Sequence, residues 1–309
     1  MQINETKSTE PVVWAGMTQA QIDFAYSPRM SVANANELIQ SYTDLSTPMY
    51  ALPHCQRGIS YVTKASLENA SHVDTNHVED QFLDYFPVVG NTNAPLFVFI
   101  HGGYWRALGS CDAVFMAKTL NALGIAVASI NYSLSPKVSL ETIVAQCQTA
   151  ALFLHANAQK LGFDAHKMII SGSSAGGHLA GMLLSADWQT AHGFSAAQPL
   201  FYKGLVISGL HDMRAMMHTL PQAWLQLDLP RAMAMSPQFI SKPFGTVGLR
   251  VAVGGYETDA FKQQSHDYHL ACVAAGIRSS YHEIAQRNHF DILLDWMQAD
   301  SEMTQLVMQ

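Results

Sequence analysis

Charge is scarce in this chain: Asp, Glu, Lys and Arg make up 13% of its 309 residues, against roughly 25% in an average soluble domain. The balance is acidic, with a net charge of −7, and it contains no Lys/Arg run, which argues against a generic nucleic-acid surface. No stretch reaches the ~18 to 20 continuous apolar residues that a membrane-spanning helix needs. The opening Met1-Gln2-Ile3-Asn4-Glu5 is polar and has no signal-peptide core. Cysteine is sparse as well. Cys55, Cys111, Cys147 and Cys272 have no short paired spacing, so neither a zinc knuckle nor a disulfide scaffold is expected. Repeats and low-complexity segments are missing. These absences point to a cytoplasmic globular protein whose partner is a small molecule, with no nucleic acid and no membrane. The low charge fits sparse surface ion pairing or a homodimer interface, and the sequence does not separate the two.

What is present is a chain long enough for one large α/β domain with a cap. Apolar runs at Pro95–Ile100, Ile125–Ile130, Met168–Ile170 and Leu249–Val253 read as strands, and Ser280–Ala285 reads as the last strand. Between them, Ser110–Leu123 and Leu140–Leu161 read as helices, which makes two right-handed crossovers between parallel strands. Arg57–Thr63 and Gln81–Phe86 read as earlier, antiparallel strands. The first 50 or so residues are the least regular, with a helix at Asn34–Tyr42 and a linker at Tyr42–Pro53. The expected division is a cap segment over 1–54 and a main domain over 55–309. Within the latter, 210–248 is an insertion rich in Met, Pro and large apolar residues.

Chemistry concentrates in two motifs. Gly172-Ser173-Ser174-Ala175-Gly176 follows a strand and precedes the helix-like Gly177–Leu184, the context in which a G-x-S-x-G serine occupies a sharp turn with an exposed hydroxyl. Taken alone the pentapeptide arises by chance in roughly one chain of this length in ten. The second motif, His101-Gly102-Gly103-Tyr104-Trp105, follows the strand Pro95–Ile100. Glycine amides after an earlier strand, together with the amide after the nucleophile, form an oxyanion hole, here Gly102, Gly103 and Ala175. The spacing brings both motifs to the carboxyl ends of neighbouring strands, where open α/β sheets hold ligands.

The acid and the histidine of a serine triad then follow in chain order. Past the strand Leu249–Val253 lie Glu257 and Asp259. Thr258 reads as a helix N-cap with Asp259 in the first turn, which favours Glu257 as the acid while the alternative stays open. His289, in the loop after the last strand, is the expected base; His282 alternates within that strand and reads as core or surface. His72, Asp74, His77, Glu79 and Asp80 cluster in a polar stretch, but nothing fixes four ligands there, so a solvated loop is expected. His266 and His269 are read the same way. Tyr104 and Trp105 follow the oxyanion glycines and are candidates to bind substrate, with one of the two expected to anchor the core. In the insertion, Met216, Met217, Trp224, Met233, Met235, Phe239 and Phe244 either line an aromatic-accepting pocket or pack the insertion onto the sheet.

At these residues the chain resembles the kynurenine formamidase (arylformamidase) family of the α/β-hydrolase superfamily, close to the hormone-sensitive-lipase-like esterases. The resemblance rests on His101–Trp105, Gly172–His178, Ser208-Gly209-Leu210-His211-Asp212, Asn288-His289-Phe290, Tyr26-Ser27-Pro28 and Asn131-Tyr132-Ser133-Leu134. It implies an α/β-hydrolase fold: a mostly parallel central sheet, helices on both faces, and a cap formed by the N-terminal segment and the late insertion. It also implies an arylformamidase-like serine hydrolase that splits N-formyl-L-kynurenine into kynurenine and formate, a step of tryptophan catabolism, with no cofactor and no metal. Ser174, Gly102, Gly103 and His289 take the family's roles; the acid falls on Glu257 where the family commonly has Asp. A carboxylesterase acting on small acyl esters would carry the same triad and oxyanion hole.

Overall fold

Leu96 to Ile100 is buried throughout, and its side chains alternate between two hydrophobic clusters: Leu96, Val98 and Ile100 in one, Phe97 and Phe99 in the other. A period of two with both faces apolar is what a strand inside a doubly covered sheet requires. The protein is described by a computed structural model over residues 10–62 and 77–309. A small hairpin, β1 (Val12–Trp14) and β2 (Met17–Thr18), precedes strands β3 (Gln56–Ser60), β4 (Phe82–Phe86), β5 (Ala94–Ile100), β6 (Ala126–Ile130), β7 (Phe163–Ser173), β8 (Lys203–Ile207), β9 (Gly248–Gly254) and β10 (Ser279–Ile284). The last eight form one sheet in the order β10-β9-β8-β7-β5-β6-β4-β3. β4 is antiparallel to β3 and β6, and every other neighbouring pair is parallel. β5 and β7, whose ends carry the two motifs, lie side by side, with Ile100 opposite Gly172.

Seven helices frame the site: α1 (Gln19–Ala25), α2 (Pro28–Ser31), α3 (Ala35–Ser46), α4 (Ala117–Ala122), α5 (Leu140–Ala156), α6 (Ala175–Leu183) and α7 (Asp259–Ala274). The buried sides of α5 and α6 share a cluster with Leu96, Val98, Ile100, Met168 and Ile170. On the opposite face Trp296 meets Phe97 and Phe99 edge-on, with ring centroids 5.2 and 5.3 Å apart. Aromatic pairs of this geometry add about 0.5–1.5 kcal/mol beyond area burial.

Several expected elements differ. The helix expected over Ser110–Leu123 is reduced to a 3-10 turn at Ser110–Asp112 and α4. Tertiary partners override helical pattern there: the Ser110 hydroxyl donates to Asp84 at 2.8 Å, and the Val114 amide donates to the Ser46 hydroxyl at 3.2 Å. Leu140–Leu161 breaks at Asn157, whose side chain donates to Phe153 O, leaving a short second helix at Ala158–Leu161. Tyr42–Pro53 is no linker; α3 runs to Ser46 and continues as a 3-10 helix at Thr47–Ala51, with Pro48 in its first turn where no amide is missed. Asp291–Met297 is also 3-10. Of the polar stretch, His72 and Asp74 lie outside the described residues; Glu79 and Asp80 pair with Lys137 at 3.0 and 2.7 Å.

Candidate active site

Ser174 sits between β7 and α6 with φ 58° and ψ −119°, a region that side-chain-bearing residues enter only under constraint. Two glycines make the turn possible. A Cβ on Gly172 would fall 2.2 Å from Gly176 O, and one on Gly176 would fall 2.0 Å from Ile100 O. Strand and helix therefore approach at a distance that excludes any side chain. The Ser174 amide donates to Ile207 O at 2.9 Å, which ties the turn to β8.

Glu257 follows β9 and is buried, as is His289. Oε2 of Glu257 accepts from His289 Nδ1 at 2.6 Å. Its other oxygen accepts from the Ser208 hydroxyl at 2.5 Å and from the Gly254 amide at 2.8 Å. Three donors hold the carboxylate in one orientation, and charge-assisted bonds of this length are the stronger kind. The imidazole is also packed, its ring 4.5 Å from that of Phe261. Asp259, by contrast, is exposed and opens α7 with Thr258 at the N-cap position. The Thr258 hydroxyl makes no cap bond and donates instead to Ala25 O at 2.6 Å. His282 lies within β10, 2.8 Å from the Ser280 hydroxyl.

Ser174 and His289 line one cavity of about 1030 Å³, together with Gly102 and Gly103. Among the described residues no hydrogen bond joins the Ser174 hydroxyl to His289, a gap of the kind that tightens when substrate binds. A Cβ on Gly102 would lie 3.3 Å from that of Ser174, so the glycine loop lies against the serine. Gly103 has φ +98°, and a Cβ there would strike Ala107 O at 2.2 Å. Among the described residues the amides of Gly102, Gly103 and Ala175 donate to no protein acceptor.

The fold recurs in solved structures. A protein from Silicibacter sp. TM1040, provisionally described as a thioesterase, superposes with a TM-score of 0.79 at 23% identity, covering 94% of this chain and 99% of the other. An esterase from Pyrobaculum calidifontis does so with a TM-score of 0.67 at 16% identity over 88% and 90%. The chain has the α/β-hydrolase fold. The BD-FAE family model matches residues 83–199 of the chain. Kynurenine formamidase of Danio rerio is 26% identical over 306 residues, 96% of this chain and 97% of that relative.

The wall of the cavity differs in part from expectation. Tyr104 lines it, but Trp105 does not: the indole is fully buried, its ring meeting that of His178 edge-on at 5.1 Å. Trp105 is thus corrected from a substrate-binding candidate to the core anchor: its indole belongs to the buried hydrophobic cluster, while the Tyr104 ring stays at the cavity with its hydroxyl donating to Tyr26 O. Of the seven insertion candidates Met217 and Trp224 line the cavity, whereas Met216 is buried and Met233 and Phe239 are exposed away from it. Sequence reasoning missed Asp23, Arg29 and Arg106, which are on the wall. It also missed Ser208, which begins a motif already singled out but whose bond to Glu257 spans 49 residues. The guanidinium of Arg106 lies 4.7 Å over the Trp224 ring, and the indole Nε1 donates to Tyr104 O at 3.0 Å.

Proposed function

We propose that this hydrolase cleaves an aryl formamide through a Ser174 acyl-enzyme, with N-formyl-L-kynurenine, split to kynurenine and formate, as the substrate. The observation that carries the mechanism is the pairing of buried Glu257 with His289 Nδ1 on the wall that holds Ser174. In this reading Glu257 fixes the proton on Nδ1, so that Nε2 takes the Ser174 proton as the oxygen attacks the formyl carbon. The amides of Gly102, Gly103 and Ala175 receive the oxyanion, helped by the start of α6 at Ala175. Collapse breaks the C–N bond, and His289 returns the proton to the departing aryl amine. Water, deprotonated by His289, then attacks the formyl ester and releases formate.

Two features support the leaving group. The whole-length likeness to kynurenine formamidases is one. The other is the wall itself, where Tyr104 and Trp224 offer rings while Asp23, Arg29 and Arg106 offer both charges that an amino-acid end requires. Among the described residues neither guanidinium meets a carboxylate. The cytoplasmic setting belongs to the same reading, in line with four free thiols.

A carboxylesterase is the second reading, because Met30, Ile39, Leu108 and Leu293 give the same cavity an apolar side suited to an acyl chain. Steady-state kinetics separate the two. N-formylkynurenine is expected to exceed p-nitrophenyl butyrate at least about tenfold in kcat/KM, ~1.4 kcal/mol of transition-state binding. Equal or ester-favouring efficiencies would leave the carboxylesterase. In either case Ser174→Ala should lower kcat by roughly four to six orders of magnitude; an active variant would remove the acyl-enzyme.

A further inference from the structure

The N-terminal helices touch all three loops that carry the proposed machinery, and they do so through buried or half-buried polar groups. An α-helix leaves its last four carbonyls without intrahelical partners. At the end of α1 the Ala25 carbonyl accepts from the Thr258 hydroxyl at 2.6 Å, next to Glu257. The Tyr26 carbonyl accepts from the Tyr104 hydroxyl, next to Gly103. The Tyr26 hydroxyl in turn accepts from Gln264 Nε2 at 3.1 Å, one turn into α7. Its ring lies 5.9 Å from Phe261, which rests 4.5 Å from the His289 ring. From α3, the Tyr42 hydroxyl donates to Phe290 O at 2.6 Å, the carbonyl directly after His289.

We propose that the end of α1 and Tyr42 of α3 form a clamp that sets the relative positions of the acid, histidine and oxyanion loops, with Thr258, Tyr26, Tyr42 and Tyr104 as positioning residues. Covering the cavity is then only half of what these helices do. The three loops emerge from different strands, and the sheet fixes where each begins but not where each ends. Tyr104 illustrates the need. It and Trp105 both hold positive φ, a pair of constrained residues that persists only where outside contacts over-determine it. The Tyr26 carbonyl is one such contact; Trp224 Nε1 on Tyr104 O and the Ser135 amide on Trp105 O, at 2.7 Å, are others.

This inference rests on the serine-hydrolase reading, and its test keeps the two apart. Thr258→Val, Thr258→Ser and Tyr42→Phe are compared with wild type on p-nitrophenyl acetate, a substrate too small to fill the cavity. The rate of fluorophosphonate labelling of Ser174 is measured in parallel. A clamp predicts kcat and labelling rate about tenfold lower in Thr258→Val and Tyr42→Phe, KM within about twofold, and Thr258→Ser close to wild type because it keeps the donor. Unchanged kcat, a rise in KM alone, or a Thr258→Ser variant as slow as Thr258→Val would each overturn it and leave a passive cover. Tyr42→Phe retains its packing against Phe115 and decides the matter if Thr258→Val does not fold. A Ser174→Ala variant that still hydrolyses the ester would instead overturn the serine-hydrolase reading.

Discussion

Glu257→Gln separates the charge of the acid from its shape, and the contacts around it dictate what the amide would do. One oxygen of Glu257 faces the Ser208 hydroxyl and the Gly254 amide, the other faces His289 Nδ1, and the side chain is 1% exposed. The Gly254 amide can only donate, so the carbonyl oxygen of the new side chain must face it. The NH2 group then points at Nδ1 and makes that nitrogen an acceptor. The imidazole proton moves to Nε2, where it blocks uptake of the Ser174 proton. A wrong tautomer in a serine triad lowers kcat about 10⁴-fold, or about 5 kcal/mol. The flipped amide would restore the tautomer but set NH2 against the Gly254 N–H in a buried site. An unmatched buried donor costs about 1–3 kcal/mol, so this escape leaves residual activity below roughly a fifth of wild type. Steady-state kinetics on N-formylkynurenine and on an aryl ester, with circular dichroism to verify the fold, give the measurement. Activity above about a fifth of wild type, or a larger loss in Asp259→Asn, would refute the reasoning and move the acid elsewhere.

Two further outcomes follow from burial. Trp105→Ala should lower stability by ~3 kcal/mol, the low end for a buried Trp, because among the described residues Nε1 of Trp105 has no hydrogen-bond partner to lose. Trp224→Ala should instead erode the preference for the aryl formamide over the ester; a selectivity change in Trp105→Ala at unchanged melting temperature would contradict this division. His101 and His178 are both fully buried, and burial pushes each imidazole down to about 4. A histidine depressed in the folded state contributes stability in full above its unfolded value near 6.5 and loses it as pH falls towards 4, which is about 2 kcal/mol for each group at pH 5. The melting temperature should therefore drop by several degrees between pH 7.5 and pH 5, and a flat profile would count against their neutral burial.

The parts of this molecule legible in its sequence are those governed by local chemistry. The strand–turn–helix around Ser174 could be read because only glycine tolerates the contacts at 172 and 176, and β5, β6, β9 and the Met168–Ile170 part of β7 could be read because their residues are apolar on both faces. Glu257 could be preferred over Asp259 because Asp259 has a place at the start of α7. Ser110–Leu123 was misread because its hydroxyl and amide partners, Asp84 and Ser46, come from other parts of the chain. The Tyr104–Trp105 pair was legible only as a pair. Which ring enters the core depends on partners distant in the chain, His178 against Trp105 and Tyr26 O on the Tyr104 hydroxyl. Asp23, Arg29 and Arg106 were invisible as wall residues for the same reason, since an exposed charge looks identical in sequence whether it borders a cavity or open solvent.

The turn at Ser174 is assembled from three distant stretches of chain. Its amide is held by Ile207 of β8, its glycines fit only against Ile100 of β5, and Gly102 abuts Ser173. Its partners are spread over more than a hundred residues, from Ile100 to Ile207. With Ser174 as the proposed nucleophile, a nascent or partly unfolded chain in which β8 has not docked would carry an ordinary serine at that position. Covalent labelling of the hydroxyl would then report completed folding of the central sheet, and reactivity would arise only once the surrounding cavity exists to select what reaches it.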